Sequence, residues 1–259
     1  SISSVLAWMM TLIFLPGIGF IIYLFCGRGI DGQEVFKLSD DEKQMVQRIK
    51  EKVDIDNKKA GRDKRYDLLY DAKVLNRYFR NMDASPLAKR NSLQLFTDGQ
   101  EKFQALFEDI RAAKETVHVE YYAFFNDTIG NQFLDVLIEK LHEGVEVYLI
   151  YDPWGSPGAN KKFFARYVDA GGKVAPFITS RDMIRKTRLN YHLHRKIVVI
   201  DGKIGWTGGF NVGDQYLNVT EKFGYWRDTH IRLVGTAVFS LQEIFIMDWN
   251  ASVKYPEER

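Results

Sequence analysis

The sequence contains a single cysteine, Cys26, and this scarcity excludes two kinds of architecture. A lone thiol cannot form an internal disulfide framework, and it cannot supply a cysteine-based zinc cluster. The formal net charge is only +2, which is too small for charge alone to indicate a nucleic-acid partner. With 46% hydrophobic and 27% charged residues, the composition is that of a globular protein rather than a disordered chain.

The first 27 residues lack Asp, Glu, Lys, Arg and His altogether. Residues 5–26 form an apolar run that is long enough to cross about 30 Å of hydrocarbon as a helix, which Pro16 would kink. Trp8 and Tyr23 lie near the two ends, where interfacial aromatic residues belong. The positive start and the small-residue cleavage site of a signal peptide are both missing. We therefore predict a transmembrane helix over residues 1–27, with a buried core helix as the alternative.

Cations flank only one end of this run. Eleven Lys or Arg residues occur from Arg28 to Arg65, and none precedes the apolar segment. Because cationic residues mark the cytoplasmic side, we predict a protein of the cell membrane whose part beyond the apolar segment is cytoplasmic. Residues 28–92 are predicted to form a charged, helical juxtamembrane linker. The chain begins with Ser rather than Met, so we expect a fragment that could lack further spans.

From residue 93 onwards, apolar strand patterns alternate with helical patterns. Residues 116–125, 145–151 and 196–200 are predicted strands, and residues 101–114, 131–142 and 161–170 are predicted helices. Such alternation is typical of α/β proteins with a largely parallel sheet. We predict a single catalytic domain over residues 93–259, built as an α/β/α sandwich around a mixed, largely parallel sheet.

The most informative stretch is a predicted hairpin around Asp201-Gly202, which lies between two β-branched runs and indicates a two-residue turn. In that register Lys196 opposes Thr207 and His194 opposes Gly209, where the missing side chain leaves room for a substrate group. Side chains two residues apart share a face, so His194 and Lys196 point the same way, roughly 7 Å apart along the strand. Asn211 joins them if the strand continues.

An imidazole, an ammonium and a carboxamide over a Gly-Gly floor suit the chemistry of a phosphodiester. Neutral His194 can attack phosphorus, while Lys196 and Asn211 hold the non-bridging oxygens as charge develops. No acidic metal cluster stands beside them, so we predict no metal and no cofactor. His192 shares a face with His194, but two imidazoles without a third ligand are weak evidence for zinc. Asp201 points to the other face and is predicted to be structural.

The pattern His194-x-Lys196-x4-Asp201, followed by Gly208-Gly209-x-Asn211, resembles the signature of the phospholipase D superfamily. Over essentially its whole length, the chain is similar to the membrane anchor and first catalytic half of bacterial cardiolipin synthases. The resemblance implies a phospholipase D-like fold, His194 as the nucleophile of a phosphohistidine mechanism, and Asp228 as the acceptor that orients it. It also implies the reaction, in which two phosphatidylglycerols give cardiolipin and glycerol.

Members of that family carry two such motifs, whose histidines meet in one active site, whereas this sequence has one. A missing C-terminal half or a second chain is therefore expected to supply the second histidine, as general acid. The partners implied are a membrane and anionic phospholipids, with no nucleic acid. Two alternatives stay open: a phospholipase D-type hydrolase or nuclease of the same superfamily, and a non-catalytic membrane interaction module.

Two further charged residues are weaker candidates for substrate binding. Glu120 is a charge inside an apolar strand pattern, so it either lines the pocket or occupies an edge-strand position. Arg188 belongs to a basic cluster with Arg181, Arg185 and Lys186. That cluster is either a solvated loop or a surface that attracts anionic lipid head groups at the inner leaflet.

Overall fold

The computed structural model describes residues 2–27, 38–60, 90–177, 192–219 and 221–253, together with Val74 and Ala88. Its helices are α1 (Ile2–Phe14), α2 (Pro16–Cys26), α3 (Asp40–Ala60), α4 (Gly99–Ala112), α5 (Thr128–His142), α6 (Lys161–Asp169) and α7 (Val238–Val253). Its strands are β1 (Ser92–Phe96), β2 (Thr116–Tyr121), β3 (Glu146–Tyr151), β4 (Lys173–Pro176), β5 (Lys196–Ile200), β6 (Ile204–Gly208) and β7 (His230–Val234). Short 3₁₀ helices at Asp214–Leu217 and Glu221–Phe223 lie between β6 and β7.

The seven strands form one mixed sheet in the order β1-β7-β6-β5-β2-β3-β4. The predicted mixed α/β sheet is confirmed, but the expectation that it is largely parallel is wrong. Only β2, β3 and β4 pair in parallel, and the other four pairings are antiparallel. The reason is the connections: parallel neighbours need long crossovers such as α5 and α6, whereas β5 and β6 are joined by a short turn.

Helices cover both faces of the sheet. On one face α4, α5 and α6 pack on the largest core cluster, which includes Leu106, Phe133, Val119 and the fully buried Trp206. On the other face α7 covers Ile197 and Val199 of the central strand β5. Further out, α3 rests against α7 through an ion pair of Lys50 with Glu243, at 3.2 Å. The central strands are therefore buried on both sides, and a site can open only at their ends.

The apolar N-terminus forms two helices instead of the single transmembrane helix predicted over residues 1–27. The helix breaks at Leu15 because Pro16 has no N–H to donate and disfavours a helical residue before it. The two helices lie against each other, with the ring centroids of Trp8 and Tyr23 5.3 Å apart. Among the described helices, none is at once long enough and apolar enough to cross a membrane. Of the linker predicted over residues 28–92, the described part includes the helix α3.

The β5–β6 hairpin differs from its predicted register by one residue. Asp201 and Gly202 do form the turn, both with positive φ, and the Lys203 N–H donates to the Ile200 carbonyl at 2.9 Å. Lys203 is nevertheless an extra residue, because Ile200 opposes Ile204 and Ile197 opposes Thr207. A one-residue shift moves every side chain of β6 to the other face. Thr207 therefore shares a face with Ile197 and not with Lys196.

The carboxylate of Asp201 ties this turn to the start of β2. Its two oxygens accept the N–H groups of Lys114, Glu115 and Thr116 at 2.9, 2.8 and 2.9 Å. Burial raises the pKa of Asp201, but these three donors outweigh it and the net pKa is lowered. The carboxylate therefore stabilises the fold fully at pH values above its ordinary pKa. This stabilisation is lost as the pH falls through the lowered pKa of Asp201 in the folded protein.

Asp201→Asn is expected to lower the free energy of unfolding by about 1–2 kcal/mol. Asparagine accepts a positive φ, but its amide nitrogen would face the N–H of Lys114 and one hydrogen bond would become a repulsion. Asp201→Ala, which also loses the bonds to Glu115 and Thr116, is expected to cost about 3–4 kcal/mol. Urea unfolding measures both values. Asp169→Ala, at an exposed carboxylate of α6, is the control, and equal stabilities for the Asp201 and Asp169 variants would contradict the prediction.

Candidate active site

A cavity of about 440 Å³ opens where β5 begins and β6 ends. His194, Lys196 and Gly208 all contribute to its wall. His194 lies just before β5 with its side chain exposed, and its ring centroid is 4.9 Å from that of Tyr122. Lys196 is the first residue of β5 and only 4% exposed. The structure therefore brings together an accessible imidazole and a shielded cation, which is the pair that phosphoryl chemistry needs.

The ammonium of Lys196 is held by protein atoms. Its Nζ donates to the His194 carbonyl at 3.0 Å and lies 5.4 Å from the centre of the Tyr122 ring. Burial lowers the pKa of Lys196, and the Asp228 carboxylate opposes that effect. An anionic phosphate next to this poorly hydrated cation would gain more interaction energy than it would beside a cation in water.

Asp228 fills the space beside Gly209. A β-carbon at Gly209 would lie 1.9 Å from Oδ1 of Asp228, so only glycine admits the carboxylate. The same oxygen accepts the Thr229 N–H at 2.7 Å. The room expected for a substrate group at Gly209 is thus occupied by Asp228, whose charge acts on Lys196. Across the described residues, neither ring nitrogen of His194 has a hydrogen-bond partner, so the orienting role predicted for Asp228 stays a prediction.

Gly208 allows a close approach between two strands, whereas Gly209 makes room for a side chain. A β-carbon on Gly208 would meet the Thr229 carbonyl oxygen at 2.4 Å, so glycine allows β6 and β7 to approach closely at the cavity. The strands pair there through Gly208 and His230.

Asn211 lies deeper than its predicted role requires. Its side chain is 7% exposed, and its Oδ1 accepts the Ala123 N–H at 3.1 Å. Its Nδ2 donates to the Tyr216 hydroxyl at 2.8 Å, which uses one of the two amide protons. The carboxamide therefore ties the loop after β6 to the loop after β2. Phosphate binding by Asn211 stays a prediction that would rest on its second amide proton.

Glu120 points to the α7 side of the sheet and is completely buried. It belongs to the central strand β2, so the edge-strand alternative is wrong. Neither carboxyl oxygen makes a hydrogen bond to any residue that the structure describes. Burial raises the pKa of Glu120 well above its usual value, and the carboxylate of Asp248 raises it further. Arg188 and its basic cluster lie outside the described residues.

Three buried polar groups lie on the sheet face towards α4, near Lys196. Lys102 Nζ donates to the hydroxyl of Tyr121, the register partner of Lys196, at 2.9 Å. Burial lowers the pKa of Lys102 well below its usual value. Burial, together with the charges of Lys102 and Lys196, lowers the pKa of His230 to about 2. The positive charges of Lys102 and Lys196 that disfavour protonation of His230 would favour an anion in their place.

The sequence interpretation missed residues that hold the segment around His194. Asp152 Oδ2 accepts the Leu193 N–H at 2.8 Å, and the Tyr122 N–H donates to the Arg195 carbonyl at 3.1 Å. Asp248 of α7 pairs with the guanidinium of Arg195. The available signal was faint: Asp248 is one of two acids in a mostly apolar helix pattern, the other being Glu243.

Two family models match the chain. The model described as Cardiolipin synthase, PLD-like domain, matches residues 106–237, and the model described as Phospholipase D-nuclease N-terminal matches residues 1–28. The first range includes β2 to β7 and every described residue of the cavity wall except those on α7.

Relatives named cardiolipin synthase align over most of this chain. That of Listeria monocytogenes serotype 4b (strain CLIP80459) is 42% identical over 261 residues, covering 96% of this chain and 52% of the relative. That of Staphylococcus aureus (strain N315) is 42% identical over 252 residues, covering 97% and 51%. The chain thus spans about half the length of these relatives.

Among solved structures, NucT from Helicobacter pylori superposes with a TM-score of 0.49 and 18% identity, covering 63% of this chain and 99% of that one.

The family model described as Cardiolipin synthase, PLD-like domain, covers half of the chain and includes the His194–Lys196 pair. The resemblance seen in the motif residues is therefore confirmed, and the chain belongs to the cardiolipin synthase, phospholipase D-like domain family.

Proposed function

We propose that this chain carries the nucleophile of a phosphatidyltransferase that makes cardiolipin from two phosphatidylglycerols. The observation that carries the proposal is the exposed imidazole of His194 beside the shielded ammonium of Lys196, in a chain whose relatives are named cardiolipin synthase. Both residues contribute to the wall of one cavity, and neither group needs a metal to act on a phosphodiester.

In the proposed reaction, a ring nitrogen of His194 attacks the phosphorus of the first phosphatidylglycerol. The bond from phosphorus to the head-group oxygen breaks, and glycerol leaves with a proton from a general acid. A hydroxyl of the second phosphatidylglycerol then attacks the phosphohistidine and gives its proton to the same group, which now acts as a base. The phosphorus–nitrogen bond breaks and releases His194 and cardiolipin. Lys196 binds the non-bridging oxygens throughout. Asp228 balances the charge of Lys196, and Asn211 offers its second amide proton to the phosphate.

The general acid is proposed to be the histidine of a second motif-bearing unit. The pattern His-x-Lys occurs once in this sequence. The nucleophile and the general acid act on opposite sides of the reacting phosphorus, so two groups are needed. The second unit would come from another part of the polypeptide or from another chain. Its place is the open side of the cavity, because His194 is exposed there.

The substrates place the reaction at a membrane. Residues 1–28 match a Phospholipase D-nuclease N-terminal model, and α1 and α2 expose apolar side chains such as Ile13 and Phe14, at 68% and 73%. Apolar surface of this kind fits lipid. We place the catalytic part on the cytoplasmic side, because the cations from Arg28 to Arg65 follow the apolar segment.

Product analysis on phosphatidylglycerol vesicles tests this function. The protein purified from the membranes of cells that make it is expected to release cardiolipin and glycerol in equal amounts. Phosphatidic acid without cardiolipin would instead assign a phospholipase D-type hydrolase. Turnover of DNA but not of lipid would assign a nuclease. The absence of any phosphodiester turnover would favour a membrane interaction module.

A further inference from the structure

Arg195, the residue between His194 and Lys196, is anchored to the helix α7. Arg195 pairs through Nη1 with Oδ2 of Asp248, a residue of α7. The Asp248 side chain is 2% exposed, whereas that of Arg195 is 45% exposed at the cavity wall. A carboxylate so deeply buried needs its cation, since removing one partner of a buried pair leaves an uncompensated charge.

Glu120 lies beneath this ion pair and adds no second negative charge. Burial raises its pKa well above the usual value, and the neighbouring Asp248 raises it further, so the protonated form of Glu120 is favoured beside this pair. Burial also raises the pKa of Asp248, but Arg195 opposes that effect. Of the two carboxyl groups, it is Asp248 that forms the ion pair with Arg195.

The main chain on either side of His194 lies outside any strand and needs other anchors. The Leu193 N–H is held by Asp152, and the Arg195 carbonyl accepts from Tyr122. These bonds fix the backbone to β2 and to the loop after β3. The Arg195 side chain supplies a further anchor, to α7, and Lys196 Nζ donates to the His194 carbonyl. With these anchors in place, His194 lies at the cavity wall and its ring packs on Tyr122.

We propose that Arg195, held by Asp248, is a positioning residue that fixes His194 for attack on the lipid phosphorus. This inference rests on the proposed transfer reaction and goes beyond it, because it assigns a function to an ion pair that touches no reacting atom. Displacing a nucleophile by about 1 Å costs on the order of 10²-fold in rate.

Asp248→Asn and Arg195→Gln are each expected to lower kcat about 30- to 100-fold and to change KM by less than about threefold. The double variant is expected to be no worse than either single one, because both remove the same interaction. Glu120→Gln, which keeps the shape of the side chain without a charge, is expected to retain more activity than Glu120→Ala. Asp109→Asn is the matched control, because it breaks another part-buried ion pair, with Arg232, away from the cavity.

Hydrogen exchange measured by mass spectrometry tests how firmly the backbone around His194 is held, and it does not require turnover. In both ion-pair variants, exchange in the peptide around residues 192–195 is expected to rise about tenfold while that of the β5–β6 hairpin stays unchanged. If Asp248→Asn fails to fold, Arg195→Gln is used instead, because the Arg195 side chain is half exposed and its replacement disturbs the core less. A KM effect with unchanged kcat, or unchanged exchange around residue 194, would overturn the proposal. If the protein makes no cardiolipin, the exchange result still decides the positioning separately from the reaction.

Discussion

His194→Asn is expected to lower the rate of phosphatidyl transfer by about 10⁴-fold or more, the largest effect of any single substitution in this chain. Asparagine is close to histidine in size and polarity but cannot form the covalent bond to phosphorus. Lipid binding by Lys196 should survive, so KM is expected to change little. The measurement is cardiolipin formation from labelled phosphatidylglycerol, together with the melting temperature of each variant.

His192→Gln is the matched control, because its imidazole lies two residues away and approaches Asp152, at 3.8 Å, outside the cavity wall. Its rate is expected to stay within about threefold of the unsubstituted protein. A His194 variant that keeps substantial activity, or equal losses at residues 192 and 194, would remove His194 from the role of nucleophile.

Lys196→Met is expected to lower kcat/KM by about 10²- to 10³-fold. Methionine fills the buried volume but leaves the developing charge on the phosphate oxygens without a cation in a poorly hydrated site. Lys203→Met, on the same hairpin with 73% of its side chain exposed, is the control and should retain activity. Similar losses in the two variants would contradict the role given to Lys196.

The lowered pKa of Lys196 adds a signature in the pH dependence. Burial favours the neutral amine, so the ammonium loses its proton at a pH below its ordinary value of 10.5. Activity that needs the cation should therefore fall on an alkaline limb that begins below that value. In Lys196→Met this limb should be missing from the residual activity, and in Lys203→Met it should be preserved.

Local patterns in the sequence predicted the features of the site that are set by residues close together in the sequence. Period-two spacing places His194 and Lys196 on one side of a strand, and both line the cavity. The alternation of strands and helices indicated the α/β class, which is confirmed. The Asp-Gly dipeptide indicated the turn, but not the extra residue Lys203 that shifts the register. Nothing local distinguishes a two-residue from a three-residue connection there.

Contacts between distant segments could not be derived in this way. The carboxylate of Asp228 occupies the space beside Gly209, which looks empty when only the hairpin is considered. Asn211 is drawn to the Ala123 N–H and the Tyr216 hydroxyl by the packing of two loops. The pair of Arg195 and Asp248 joins residues 53 positions apart. Each depends on how segments far apart in the sequence pack together, and no periodic pattern in the sequence predicts it.

Trapping the covalent intermediate tests the central claim most directly. The protein would be mixed with phosphatidylglycerol labelled in its phosphate, quenched in alkali to preserve phosphohistidine, digested and mapped by mass spectrometry. The account predicts label on the peptide that contains His194, lost in His194→Asn and kept in His192→Gln. Steady turnover with the label on another residue, or with no covalent label at any stage of the reaction, would contradict it.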